Sequence, residues 1–183
     1  VSIKAGKLNC VGASAGAGGT RFDVISTNVV IEAHKWHHIC VVHSGGATVG
    51  RPFLYVDGQP VAMTDTTSSD LTFWMNDLAT WDRAAIGILA MNATLTLDML
   101  GAISYVKYAT GTTDAAAWTN EQVLQEYTWR AGLGSGSGVT SGVLCTWPLT
   151  DLLDTTTGGG TYSLTLTSDV QYDTEYSQMT SKL

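Results

Sequence analysis

The segment 36–43, which reads WHHICVVH, constrains the fold more than any other stretch of the chain. Successive side chains of a β-strand point to opposite faces, so Trp36 and Cys40 would share one face while Ile39 and Val41 share the other. Both faces of such a strand are apolar. The segment therefore predicts a strand that is covered on both sides, as in the interior of a β-sandwich.

Other short strand patterns follow along the chain, separated by turn residues. Asp57-Gly58 is the strongest turn signal, because both residues readily adopt a positive φ angle and would close a two-residue hairpin between strands 53–56 and 59–62. The remaining predicted strands have β-branched or alternating apolar residues, and they are 21–31, 84–91, 101–108, 143–149 and 162–167.

Three stretches are expected to lie outside regular structure. Residues 11–19 read VGASAGAGG and predict a loop between edge strands, with regular strands beginning at Arg21. Residues 63–83 are rich in Thr, Ser and Asp, which favours a long surface excursion. Residues 131–142 read AGLGSGSGVTSG, which is typical of a flexible connector.

The single helical pattern covers residues 120–129. Thr119 and Gln122 have the spacing of a capping box, and Val123, Leu124 and Tyr127 would form an apolar stripe. We expect this helix to close one end of the sandwich.

Many short strands and one short helix predict an all-β protein, an antiparallel β-sandwich (jelly roll) with one short helix. The length of 183 residues suits one domain, 1–183, in which the connector 131–142 leads to a C-terminal strand pair, 143–167.

Charge and hydropathy exclude two classes of partner. Nine Lys and Arg residues against sixteen Asp and Glu residues give a net charge of −7, and no basic run is present to neutralise phosphates, so nucleic-acid binding is excluded. No stretch reaches the roughly 18 to 20 apolar residues of a membrane span, so we expect no membrane insertion. The chain begins at Val1 without a signal-peptide pattern, which suggests a processed product.

The order of several phrases resembles the laminin G-like domain of the concanavalin A-like lectin/glucanase superfamily. The phrases are WHHICVV at 36–42, LYVDG at 54–58, AIG at 85–87, and LGAI at 100–103 followed by VKY at 106–108 and a short helix. The resemblance covers roughly residues 20–130 and implies a β-sandwich. LCTWPL at 144–149, which opens the domain in many relatives, closes this chain. It would either complete this sandwich as a permuted strand or begin a neighbouring copy.

The resemblance also bears on calcium and on catalysis. Ala102 and Ser104 stand where relatives often carry an acidic residue, so we predict no cofactor, with calcium as a minor alternative. Hydrolytic members carry acidic residues at alternating positions of one strand, because retaining glycoside cleavage needs two carboxyl groups about 5 Å apart. None of the four glutamates has an acidic residue two positions later. We therefore predict no enzyme and no catalytic residues, unless carboxylates pair across strands.

Histidine and cysteine residues allow other site chemistries. The four histidines, and His37 with His43 on one strand face in particular, would permit a zinc site. The alternative is that His38 packs beside Trp36 while His34 and His43 mark the wet ends of the strand. Cys40 is expected to be an inert core thiol rather than a nucleophile. Cys10 and Cys145 could form a disulfide only if the terminal segments meet.

The best candidate binding site lies in the aromatic part of the stretch 63–83. An indole ring stacks against the C–H face of a sugar, and nearby Asp and Asn side chains bond to its hydroxyl groups. Alternatively, these tryptophans fold back as a lid or are buried in a subunit contact. Trp118, Trp129 and Trp147 are expected in the core or against the helix. The predicted ligand-binding residues are Trp74, Trp81, Asn76, Asp77 and Asp82.

Two functions remain open at this level. One is a noncatalytic recognition module, extracellular or on a cell or virion surface, that binds a glycan or a protein surface. The other is a structural protein of an assembly, such as a virion decoration, fibre or filament domain, with self-assembly through its terminal strands. Strand exchange would satisfy backbone groups at exposed sheet edges, which suits the second function.

Overall fold

The computed structural model describes residues 1–13, 19–44, 50–74, 89–91, 94–96, 103–110 and 117–147. The chain divides into two compact units. The first comprises Val1–Leu78 and Gly111–Thr140, and the second comprises Ala79–Thr110 and Ser141–Leu183.

The first unit holds two antiparallel sheets and a helix. One sheet has the strand order β1-β2-β3-β7 and the other has the order β4-β5-β6. The helix, α1, covers Asn120–Arg130. The strands are β1 (Ser2–Lys4), β2 (Lys7–Ala13), β3 (Thr20–Ser26), β4 (Ile39–His43), β5 (Pro52–Val56), β6 (Gln59–Pro60) and β7 (Met63–Ser68).

The two sheets pack their inner faces together to form the core. Alternate residues of β2 and β3 supply one side of this core, and alternate residues of β5 supply the other, as the period of two requires. Antiparallel sheets packed in this way confirm the predicted β-sandwich with one short helix. The buried core residues are Leu8, Cys10, Phe22, Val24, Leu54 and Val56.

Two expectations about the polar stretches were wrong. Strands precede Arg21, because β1 and β2 form a hairpin and β2 contributes core residues despite the small residues that follow it. Residues 63–68 form the edge strand β7 rather than a surface excursion. An edge strand needs few apolar side chains, and here the half-buried Met63 packs against the core while Thr and Asp residues face outward.

The strand predicted at 36–43 begins only at Ile39. His34 adopts a positive φ of 63°, and the residues before Ile39 form turns and irregular backbone, with Trp36 exposed rather than on a core face. The strand predicted at 21–31 similarly ends at Ser26. Beyond it, the N–H groups of Val30 and Ile31 both donate to the carbonyl oxygen of Gly6, which holds these apolar residues against the core without a strand.

The hairpin and the helix agree with their local signals. Asp57 (φ 51°) and Gly58 (φ 75°) form the turn between β5 and β6. Thr119 caps α1, and the reciprocal bonds of the capping box with Gln122 are both present. The apolar stripe was only partly correct, because Leu124 is exposed and the charged Glu126 is buried together with Val123.

The second unit contains two antiparallel strand pairs among its described residues. They are β8 (Leu89–Met91) with β9 (Thr94–Thr96), and β10 (Val106–Ala109) with β11 (Val143–Trp147). The strand predicted at 101–108 is therefore four residues long and starts at Val106. The strand predicted at 162–167 lies outside the described residues.

Candidate functional site

The outer face of the β4-β5-β6 sheet is apolar. Pairing places Cys40 opposite Tyr55 and Val42 opposite Phe53, and these four side chains point away from the core because their neighbours Val41 and Leu54 point into it. Phe53 is 38% exposed. The apolar residues of segment 36–43 predict such a face. Its Tyr55 is buried and bonded to Asn120 at the start of α1, whereas Phe53 borders a groove.

This groove has a volume of about 400 Å³. Its floor consists of side chains from the outer sheet face, and its wall is the segment that leads into α1. We call it the outer-face groove. Its lining residues are Val42, Ser44, Phe53, Tyr55, Pro60, Ala117, Trp118 and Asn120.

A hydrogen bond joins the floor of the groove to its wall. Tyr55 is buried, and its hydroxyl group donates to Oδ1 of Asn120 over 2.8 Å. Asn120 is the first residue of α1, which the Thr119 cap holds in place. Because the amide oxygen accepts from Tyr55, the amide nitrogen is left as the donor that Asn120 can offer to a ligand.

A second, more polar pocket adjoins the groove and shares Pro60 and Asn120 with it. Its volume is about 210 Å³, and we call it the hairpin pocket. The turn between β5 and β6 packs closely against α1 here, since a Cβ atom on Gly58 would lie 2.9 Å from Cδ1 of Tyr127. The remaining lining residues are Gly58, Gln59, Glu121 and Leu124.

The carboxylate of Asp57 connects the turn to the chain that enters β4. Its Oδ2 lies 2.8 Å from Nδ1 of His37, and its Oδ1 accepts the backbone N–H of His38 over 2.9 Å. Nε2 of His37 accepts the backbone N–H of Glu32, so Nδ1 carries the proton that is donated to Asp57. The phrases WHHICVV and LYVDG are thus bonded to each other, and this bond holds the floor of the groove in register.

Residues 3–107 match the family model of a laminin G-like domain, which belongs to the concanavalin A-like lectin/glucanase superfamily. The match covers more than half of the chain, and it includes both phrases that Asp57 connects. The chain belongs to this family. No curated protein and no solved structure matched the chain. Laminin G-like domains are generally noncatalytic and often extracellular, although the superfamily also includes glucanases.

Trp74 of the laminin G-like domain packs against neighbouring rings instead of projecting from a loop. Its indole ring stacks on the imidazole of His43 with a centroid distance of 4.4 Å and lies 6.5 Å from the ring of Phe22. His43 is half-buried and bonded to the carbonyl oxygen of Leu71, so it is not a wet strand end. Trp74 packs against the core in the manner of a lid. Asn76, Asp77, Trp81 and Asp82 lie outside the described residues, and this set stays a prediction.

The glutamates that the structure describes each have a local structural partner. Glu32 pairs with Lys35, whose hydrogen bond lowers the pKa of the carboxyl group. The pKa of Glu121 is lowered by its own backbone N–H and by the Thr119 hydroxyl. Glu126 is buried, accepts the N–H of Val139 over 2.8 Å and lies 3.7 Å from Nε of Arg130.

The second half of the Gly/Ser-rich segment 131–142 also contacts α1. Besides the bond to Val139, Nε2 of Gln125 donates to the carbonyl oxygen of Ser137, and Val139 is buried. The segment after α1 therefore lies against the helix over part of its length. Trp129 is exposed beside the guanidinium group of Arg130, which lies 4.2 Å from its ring, rather than in the core.

Cys10 and Cys40 carry free thiols whose pKa values are raised. Burial raises the pKa of Cys40 to about 12, with a contribution from the charge of Glu126, and burial also raises the pKa of Cys10. Both thiols are free, so Cys10 is not in a disulfide. Among the residues that the structure describes, no three His, Cys, Asp or Glu side chains gather closely enough to hold a metal ion. Within the same ranges, no helix combines the length and the hydropathy of a membrane span.

The groove residues were not predicted as a site. From the sequence, Phe53 and Tyr55 are expected only as strand residues, and Trp118 is expected in the core or against the helix. A signal was present, because residues 53 and 55 alternate with the core residues 54 and 56. An outer face with two aromatic residues needs something to cover it. What covers it could not be inferred without the position of Trp118 and Asn120.

Proposed function

We propose that this domain is a noncatalytic recognition module, extracellular or on a cell or virion surface, and that it binds a glycan or a protein surface through the outer-face groove. The observation that supports this proposal is the exposed aromatic side chain of Phe53 in a groove that is also lined by Trp118 and by the amide of Asn120. Concave sites with apolar walls and a few placed polar groups are typical ligand sites.

The positions of the carboxylates support a noncatalytic role. Acid–base catalysis of glycoside cleavage needs two carboxyl groups that face one substrate bond. In the described part of the chain, Glu126 is buried in a structural bond, whereas Glu32 is bound to Lys35 at the surface. Glu121 lines the hairpin pocket, but neither Glu32 nor Glu126 lines it, so these three glutamates supply no carboxyl pair there.

Glycan-array binding and affinity purification with the purified domain test the proposal. The Phe53→Ser/Trp118→Ala double variant should lose binding, because it removes the aromatic walls of the groove. Trp129→Ala is the matched control, since Trp129 is an exposed aromatic residue that does not line the groove. Retained binding in the double variant, with loss in Trp74→Ala/Trp81→Ala, would move the site to the tryptophans of segment 74–82.

An assembly role is the second candidate, and the β1 edge favours it. β1 is an edge strand of its sheet within the described residues, all three of its side chains are exposed, and Ile3 is 46% exposed. An exposed edge with an apolar side chain can pair with a strand of another copy. Light scattering checks this role. A strictly monomeric protein whose termini resist protease would count against it.

A further inference from the structure

We infer that the outer-face groove and the hairpin pocket form one continuous site for a neutral oligosaccharide, with a sugar ring against Phe53 and Trp118 and its hydroxyl groups bonded around Asn120. This inference rests on the proposed function and names the ligand class of the same site. The two cavities meet at Pro60 and Asn120, which line both of them.

The charge of the lining argues for a neutral ligand. The eight residues that line the outer-face groove are all uncharged, and Glu121 is the charged residue among those lining the hairpin pocket. Arg51 lies 5.9 Å from the Phe53 ring but does not line the groove, and its Nη2 donates to Asp65 over 2.7 Å. A uronate or sulfate group would therefore meet a carboxylate without a cation in the lining, in a chain of net charge −7.

The aromatic residues provide the apolar part of the site. An aromatic ring presents an apolar face, and the C–H face of a pyranose ring matches it. Phe53 projects from the sheet and Trp118 from the segment before α1, so the groove has aromatic surface on its floor and on its wall. The volume of about 400 Å³ lies within the range of small-ligand sites, and the adjoining 210 Å³ extends it along the hairpin.

The polar groups at the junction favour a sugar over an apolar peptide. The Tyr55 hydroxyl occupies Oδ1 of Asn120, which orients the amide so that its nitrogen serves as a donor. The Glu121 carboxylate is an acceptor, and the exposed Gln59 amide is both donor and acceptor. Apolar side chains of a peptide over these groups would bury them without hydrogen-bond partners, whereas adjacent hydroxyl groups of a sugar can donate and accept.

Isothermal titration calorimetry with the whole chain tests this inference. The probes are mono-, di- and tetrasaccharides of glucose, mannose, galactose and N-acetylglucosamine, together with uronic-acid oligosaccharides of matched length. We expect at least one neutral tetrasaccharide to bind about 10-fold more tightly than its monosaccharide, because only the longer ligand reaches both cavities. We expect the uronate series to bind about 10-fold more weakly than neutral ligands of the same length.

The Tyr55→Phe variant tests the role of Asn120. It removes one hydroxyl group and should weaken the neutral ligand about 3- to 10-fold, because the amide is no longer oriented. Tyr127→Phe is the matched control, since it loses a hydroxyl group from a residue that lines neither cavity. Circular dichroism and thermal melting of both variants separate loss of binding from loss of folding.

The outcomes distinguish the inference from the proposed function. Preference for uronates, equal affinity for mono- and tetrasaccharides, or identical binding by Tyr55→Phe and the parent protein would overturn the inference while glycan binding stands. If no sugar binds but a protein partner is lost in Phe53→Ser/Trp118→Ala, the inference fails and the recognition function stands. If the double variant keeps every ligand of the parent protein, both fail.

Discussion

The outer faces of the two sheets in the first unit differ in the side chains that they carry. On the β1-β2-β3-β7 sheet, the Asn9 side chain donates to the carboxylate of Asp23 and to the carbonyl oxygen of Val24, and accepts from the Ser2 hydroxyl. On the β4-β5-β6 sheet, the corresponding positions are held by apolar residues such as Val42 and Phe53.

The difference supports the outer-face groove as the proposed binding site. On the β1-β2-β3-β7 sheet, the polar groups around Asn9 bond to one another across the strands, so they leave few donors and acceptors for a ligand. Covering an exposed aromatic side chain is favourable, because its apolar surface is removed from water. Contiguous apolar patches therefore commonly mark binding sites. The same core therefore supports one outer face with bonded polar side chains and one outer face whose apolar side chains line a groove.

The largest expected effect compares two neighbouring residues on opposite faces of β5. Leu54→Ala opens a cavity in the core and should lower the free energy of unfolding by about 3 kcal/mol. Phe53→Ala removes a partly exposed side chain from the groove and should cost about 1 kcal/mol. Urea denaturation measures both. Equal losses would mean that the outer face belongs to the core, and the distinction between the faces would fail.

The next effect tests the polar outer face. Asn9 is fully buried although it is polar, so Asn9→Leu leaves Asp23 and Val24 without their donor and should cost about 2 kcal/mol. Thr66→Val is a control on the same sheet, because its exposed hydroxyl group donates only to a backbone oxygen. Denaturation of the two variants checks the prediction. A stabilised Asn9→Leu protein would show that this face is not maintained by its hydrogen bonds.

A smaller effect concerns the bond that holds the groove floor in register. A double-mutant cycle with His37→Ala and Asp57→Ala should give a coupling energy of about 1 kcal/mol, since the imidazole and the carboxylate bond directly. The cost of Ala at the positive φ of residue 57 cancels in the cycle. Chemical denaturation of the four proteins measures the coupling, and a value near zero would contradict a role for this contact in holding the strands.

The smallest effect at neutral pH concerns Cys40 on the outer face. With its pKa near 12 against an ordinary value of about 8.5, the folded thiol should react with iodoacetamide at least about 100-fold more slowly than in urea. A folded-state pKa above the unfolded value stabilises the fold below about pH 8.5, and this contribution is lost as the pH rises toward 12. Cys40→Ala should flatten that alkaline loss. Rapid alkylation of the native protein would contradict it.

Much of the first unit followed from local sequence patterns. The Asp57-Gly58 turn, the capped helix from Asn120 and the strand pairs around them depend on side chains a few residues apart, and the structure agrees with them. The errors concern elements whose partners are distant in sequence. β7 is a strand because β3 bonds to it, and the irregular backbone at residues 27–31 packs on the core because Gly6 accepts its N–H groups.

The candidate site could be predicted only in part. Alternation along β5 indicates an apolar second face from the sequence, but residues 53 and 118 are too far apart in the chain to infer that they line one groove. In the sequence, Trp74 lies near polar residues, as a sugar-binding tryptophan would. In the structure, its ring stacks on His43. An aromatic residue near polar neighbours does not by itself show whether its ring is covered.

By itself, the sequence determined an antiparallel sandwich with a capped helix, because strand alternation, turn residues and helix caps act over a few residues. Tertiary structure alone decided that Tyr55 would bond to Asn120 and that Trp118 and Phe53 would line one groove. Those contacts depend on how the helix packs against the hairpin. That packing is set by the shape of side chains from remote parts of the chain, which local patterns do not encode.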